Sequence, residues 1–223
     1  MESLSLTWFG HAAFLLESGG VRVLLDPYRT PDVGGYAPIN TEADLVVVSH
    51  LNPKYHSHWE AATGHPTRLN GLDFAGTEAG VRAHGIHFRA LPAWESAKRD
   101  VAVSMPFFTL GGVTLCHSGD LGAGLTAEEI APIQGVDIFL AVAGGPPTLP
   151  IGEMKAAIDL IQPRIVIPMH FGNDKVNLNL QPLSDFLSLW DPEQIVHHPT
   201  PTLDLSPAML PPELRVLVLP PAR

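Results

Sequence analysis

With 223 residues, 45% of them apolar and 16% charged, the chain can bury a sizeable core and is too apolar to be disordered. A formal net charge of −10 opposes phosphate backbones, which excludes nucleic acid as an expected partner. The single cysteine, Cys116, rules out an internal disulfide framework, and no apolar run approaches the ~18 residues of a membrane-spanning helix.

Met1-Glu2-Ser3 leads into a strand pattern without a basic-then-apolar signal segment, so a cytoplasmic protein with no membrane partner is expected. Residues 4–9 alternate as a strand, and a second strand covers 13–17. Gly19-Gly20 turns the chain into a third at 21–25, which Asp26-Pro27 ends. Residues 28–43 read as a loop. Leu45 to Val48 is continuous and rich in β-branched residues, as in a strand buried on both faces.

One or two helical turns fit 57–63, and weak strands fit 66–75 and 84–91. Clearer strands cover 101–110 and 113–116, joined across Gly111-Gly112. Thr126 with Glu129 has capping-box spacing at a helix start. Asp137 to Val142 is another buried strand. Met154, Ala157, Ile158 and Ile161 fall on one helical face that Pro163 stops. A strand at 165–167 ends at Pro168-Met169-His170, Leu183 to Trp190 reads as a helix, and short strands near 194–197 and 214–219 follow. Strands come first as a meander and then alternate with helices. One α/β (α+β) domain over 1–223 is expected, with two sheets packed face to face and helices outside. The 22 prolines sit at element ends and in the tail.

Residues able to bind metal recur at the ends of apolar runs: His11, Asp26, His50, Glu95, His117, Asp120 and His170. Strand ends lie along one rim of a sheet, so these groups can converge. Singly, each is more commonly a capped turn or a satisfied buried imidazole, and Asp26 before Pro27 is more commonly a turn residue. His58, His65, His84 and His87 sit in polar segments, where solvated histidines are common. His197-His198 reads as structural. The joint pattern carries the argument.

Phe9-Gly10-His11-Ala12-Ala13-Phe14, Leu24-Leu25-Asp26-Pro27-Tyr28, Ser49-His50 to His58, His117-Ser118-Gly119-Asp120 and Pro168-Met169-His170-Phe171 together resemble the metallo-β-lactamase superfamily. They look most like its ascorbate-6-phosphate lactonase-like branch of small metal-dependent hydrolases. The resemblance covers nearly the whole chain. It implies a four-layer αββα sandwich with the site on one rim, and it suggests a homo-oligomer, for which the Pro-rich segment 199–212 is a packing arm or a surface tail.

Carried over residue by residue, His50 matches the first histidine of the family's His-x-His-x-Asp-His signature, and Asn52 stands in place of the second. Without a gap, Lys54 takes the aspartate position and Tyr55 the last histidine. With one extra loop residue, His56 becomes the last histidine, and this is the preferred register. A third register starts at His56, with His58 second and Glu60 for the aspartate; it detaches the motif from the strand end. Glu95 stands where a middle histidine is expected. The implied ligands are His50, His56, Glu95, Asp120 and His170, a set suited to Zn²⁺ first and also to Mn²⁺ or Fe²⁺. The set is short of two full positions, so one ion, or none, is expected.

On this reading Asp120 ligates and orients water, and His11 or His58 contacts the substrate or steadies a developing oxyanion. Asn52, Lys98 and Arg99 are further substrate-binding candidates, although Lys98-Arg99 also fits a solvated loop. The expected function is hydrolysis of a small, anionic ester, lactone or phosphoester by metal-activated water. The alternative is a degenerate, non-catalytic member of the superfamily that binds a ligand or partner in the old cleft, motivated by Asn52, Lys54 and Glu95. Nucleic-acid processing, as in larger superfamily members, ranks last.

Overall fold

The computed structural model describes residues 3–223; Met1 and Glu2, read above as the approach to the first strand, lie outside the described residues. Two sheets form the frame. The six-stranded sheet runs Thr202–Leu205, Leu4–Gly10, Ala13–Ser18, Val21–Leu25, Leu45–Val48, Thr67–Asn70 in spatial order. The eight-stranded sheet runs Ile195–His197, Arg215–Val218, Ile165–Met169, Ile138–Val142, Val113–His117, Ala102–Leu110, Ile86–Trp94, Val81–Ala83. Among the described residues, no helix is long and apolar enough to cross a membrane.

Side-chain alternation assigns the faces. Leu45 and Val47 enter the core between the sheets, while Val46 and Val48 enter a second apolar cluster on the outer face of the six-stranded sheet. The same switch occurs along the first three strands: Leu6, Trp8, Phe14, Leu16, Val23 and Leu25 face inward, and Phe9, Ala13, Leu15 and Leu24 face outward. This explains why Leu45–Val48 reads as a continuous apolar run.

The outer faces are covered differently. Helix Ile151–Ile161 crosses over between the parallel strands Ile138–Val142 and Ile165–Met169, burying Met154, Ala157, Ile158 and Ile161 as the spacing predicts. It ends at Gln162 in a left-handed conformation, just before Pro163. Thr126 and Glu129 form the expected capping box, but the helix is a single turn, Ala127–Ile130, that tightens to a 3₁₀ turn at Pro132. On the six-stranded sheet the cover is the loop after Asp26, through Tyr28, Val33, Tyr36 and Ile39, with the 3₁₀ turn Trp59–Ala61. The helical turns expected at 57–63 are thus one 3₁₀ turn. The strand expected over 66–75 stops at Asn70, whose side chain caps a 3₁₀ turn by accepting from the Leu72 N–H.

Strand direction positions the site. Within the first sheet Leu4–Gly10, Val21–Leu25 and Leu45–Val48 run the same way. Within the second, Ile86–Trp94, Val113–His117 and Ile165–Met169 do. Their carboxyl ends therefore deliver His11, Asp26, His50, Glu95, Asp120 and His170 to one rim, the usual place for ligands in such sheets.

Gly10 closes the first corner at φ +117°, and a Cβ there would lie 2.5 Å from the Tyr36 ring. Gly19, also at positive φ, faces open space. Positive φ costs an alanine at either position about 1–3 kcal/mol, and the Tyr36 ring adds a clash at Gly10 only, so Gly10→Ala is expected to be the more destabilising. Equal midpoints for the two variants in denaturant titrations would contradict this account of the corner.

Candidate metal centre

The centre is built around Asp26, a buried carboxylate at φ +39°. Its Oδ1 accepts the Ser49 backbone N–H at 2.6 Å, and its Oδ2 accepts the Ser49 hydroxyl at 2.6 Å and His56 Nδ1–H at 2.9 Å. Because the Ser49 hydroxyl spends its proton on Asp26, its oxygen accepts from His50 Nδ1 at 3.0 Å. Asp26 thus fixes His56 directly and His50 through Ser49, both with Nδ1 protonated and Nε2 turned away. A carboxylate behind an imidazole is the arrangement that orients metal-binding histidines and raises their basicity.

His117 has another job. Its Nε2–H donates to the Ala12 carbonyl at 2.9 Å, and its Nδ1 accepts the Gly119 N–H at 2.9 Å. Both nitrogens are satisfied, so this ring is a neutral strut that ties the second sheet to the first corner. Two further ties cross the sheets: His170 N–H to the His11 carbonyl at 3.1 Å, and Ser104 N–H to the Ser49 carbonyl at 3.0 Å. Gly119, at φ +55°, brings the Asp120 turn against Ser49; a Cβ there would meet the Ser104 carbonyl at 2.7 Å.

Asp120 faces the imidazoles. Its Oδ2 lies 2.8 Å from His56 Nε2, without hydrogen-bond alignment, and its Oδ1 lies 3.4 Å from His170 Nε2. The rings crowd together, with centroid separations of 4.3 Å for His11–His170, 4.7 Å for His50–His56 and 5.2 Å for His11–His56. All five residues are buried, and His50 Nε2, His56 Nε2, His170 Nδ1, Asp120 Oδ1 and both His11 nitrogens lack hydrogen-bond partners. Buried polar atoms left unpaired cost about 1–3 kcal/mol each, so a cluster of them at one point marks a place built for something else. Donor atoms from His50, His56 and Asp120 lie within 4.8 Å of one another, as do those from His11, His56 and His170.

Charge gives a second test of fit. Burial disfavours a charged His56, but Asp120 and then Asp26 outweigh it and push the imidazole up to about 10. Burial would likewise raise Asp120 and Asp26; the facing imidazoles hold Asp120 well below the usual carboxylate range, and hydrogen bonds from His56 and Ser49 help to hold Asp26 low. His11, His50, His117 and His170 are pushed down, in each case chiefly by burial. The pocket therefore holds two carboxylates against one imidazolium. A divalent cation on neutral His56 would bring this to balance. Donor chemistry, unpaired atoms and charge all fit such an ion.

The other sequence candidates fall elsewhere. Glu95 is half-buried at the rim and close enough to Asp120 for burial and that carboxylate to raise its own carboxyl. With Lys98 it lines an open depression of about 480 Å³ that also includes Asp100, Val101 and Pro147. Arg99 is held outside by Glu129 and the Gly124 carbonyl. Asn52 is a turn residue whose carbonyl accepts the N–H groups of Tyr55, His56 and Ser57. That turn lifts Lys54 outward, where its side chain is exposed, and folds His56 inward. His58 occupies the N-cap position of the 3₁₀ turn without a side-chain cap hydrogen bond, and its Nδ1 lies 3.3 Å from Glu60 Oε2. His65, His84 and His197 are exposed. Sequence reasoning missed the anchoring roles of Asp26, Ser49 and His117; the only signal was the Asp-Pro dipeptide and the Ser before His50.

A family model described as "Beta-lactamase superfamily domain" matches residues 5–170. The chain belongs to this superfamily and has its metallo-β-lactamase sandwich fold. A UPF0173 metal-dependent hydrolase of Archaeoglobus fulgidus is 27% identical over 198 residues, 75% of this chain and 83% of that one. Another, from Methanosarcina mazei, is 30% identical over 77% of this chain and 84% of that one. A Thermotoga maritima crystal structure, assigned as a zinc-dependent hydrolase of the metallo-β-lactamase superfamily, is 30% identical with a TM-score of 0.75, covering 97% of this chain and 98% of that one.

The shifted imidazoles set the pH response of chelator-treated protein. Below the ordinary histidine value of 6.5, unfolding lets His11, His50, His117 and His170 take up protons they refuse when folded, so stability falls as pH drops. Above 6.5, folded His56 keeps a proton that the unfolded chain releases, so stability falls as pH rises toward about 10. Thermal melts in chelator from pH 5 to 10 should peak near neutrality. A midpoint that rises steadily toward pH 5 would contradict the assignment of neutral buried rings.

Proposed function

We propose that this protein is a metal-dependent hydrolase, with His50, His56, Asp120 and His170 as its metal ligands. The observation that carries the reading is the convergence of buried imidazoles on Asp120: His50 Nε2 has no hydrogen-bond partner and lies within 4.8 Å of His56 and Asp120 donor atoms, and His56 Nε2 and His170 Nε2 lie 2.8 and 3.4 Å from the carboxylate. The names of its relatives support it. Imidazole and carboxylate donors favour Zn²⁺, with Fe²⁺ or Mn²⁺ as alternatives. An ion bound there supplies Lewis acidity and a source of hydroxide at neutral pH.

The chain's own groups supply the rest. Asp26 and Ser49 hold His56 and His50 in the tautomer that presents Nε2. Asp120, ionised and buried, would orient a water. Glu95, at the rim with a raised carboxyl, would accept that water's proton and pass it to the leaving group or to solvent. Lys98 in the adjoining depression is the cation available to an anionic substrate, since Arg99 is engaged with Glu129. We infer a small ester, lactone or phosphoester as substrate, in keeping with the lactonase-like motifs.

Protein purified without chelator should carry stoichiometric Zn, Fe or Mn by elemental analysis. His170→Ala should lower metal content and abolish metal-stimulated hydrolysis of a panel of lactones and phosphoesters. Protein without such metal, and without activity when metal is added, would favour the alternative of a non-catalytic fold member.

A further inference from the structure

His11 holds more than its place in the corner requires. Its backbone sits at φ +50°, an uncommon conformation for a residue with a Cβ. Its ring is buried, and neither nitrogen has a partner. The corner itself is secured without the ring: Trp8 Nε1–H and His170 N–H both donate to the His11 carbonyl at 3.1 Å, and His117 holds the Ala12 carbonyl. The ring instead faces His170 and His56, and a nitrogen from each of the three lies within 4.8 Å of the others.

Lys54, which takes the signature's aspartate position in the ungapped register, is exposed and supplies no donor. His56 Nε2 lies 2.8 Å from Asp120 Oδ2.

We propose that His11 is a direct metal ligand, forming with His56 and His170 a three-imidazole position that Asp120 completes. This rests on the metal-dependent reading above but goes beyond it, because it adds a ligand from the first strand of the chain. Three imidazoles and one carboxylate suit Zn²⁺ or Co²⁺ better than Mg²⁺ or Mn²⁺.

The test uses full-length protein stripped of metal and titrated with Zn²⁺ or Co²⁺ against a competing chelator. Wild type should bind, and Co²⁺ should give the visible bands of a low-coordinate site. His11→Ala and His11→Gln should weaken binding by at least about 100-fold, beyond the 10–100-fold typical of residues that only orient ligands, and should alter the Co²⁺ bands. His65→Ala, exposed and outside the position, should do neither. Folded His11 variants with unchanged affinity and spectrum would overturn the assignment while leaving the metal reading intact; wild type that binds no ion would overturn both. Should neither His11 variant fold, zinc-edge anomalous maps from wild-type crystals decide. An ion about 2.0–2.1 Å from a His11 nitrogen supports the assignment, and one beyond about 3 Å refutes it.

Discussion

The buried carboxylate of Asp26 is the constraint on which the rest of the centre depends. Out of water, a carboxylate needs partners for its lone pairs. Ser49 and His56 provide them, and in doing so they lose their freedom. Ser49 passes the constraint on to His50. A single negative charge, supplied by one strand end, thus sets the tautomer and direction of two imidazoles on a different one. Asp120 then closes the pocket from the opposite sheet, and its approach is fixed by Gly119 packing against the same Ser49.

Such a centre requires that two sheets meet at one rim with little tolerance. Parallel strand directions bring the right residues to that rim, but the last ångström comes from the corners. His11, Asp26 and His170 all leave their strands at positive φ, a conformation that side chains with a Cβ resist. They are held there by cross-sheet hydrogen bonds and by the fit of Tyr36 over Gly10. The same corners place buried nitrogens without hydrogen-bond partners beside two carboxylates that share one imidazolium. Stability is given up locally for a geometry that a divalent ion would complete, the pattern expected where function overrides local preference.

The frame was legible in the sequence because it rests on local signals. β-Branched runs marked the strands, and the spacing Met154, Ala157, Ile158, Ile161 marked a helix that buries those side chains. Polar residues at run ends marked the rim. What was illegible depends on distant partners. Asp26 beside Pro27 resembles any turn, and only the fold brings Ser49 and His56 to it. The choice between Tyr55 and His56 turned on how many N–H groups gather on the Asn52 carbonyl, which no local pattern encodes. The loop after Asp26 buries Tyr28, Val33, Tyr36 and Ile39 without any periodicity, so its role as the outer cover of the six-stranded sheet was hidden.

The central claim is that Asp26 prepares His50 and His56 to offer Nε2 to a divalent ion. Nitrogen-15 spectra of the histidine rings, recorded with and without one equivalent of Zn²⁺, test it most directly. The account predicts that Nδ1 of both rings is protonated throughout, that their Nε2 resonances move on loading, and that His117 keeps Nε2–H and does not respond. Unmoved His50 and His56 rings in the presence of zinc, or coordination through Nδ1, would contradict it.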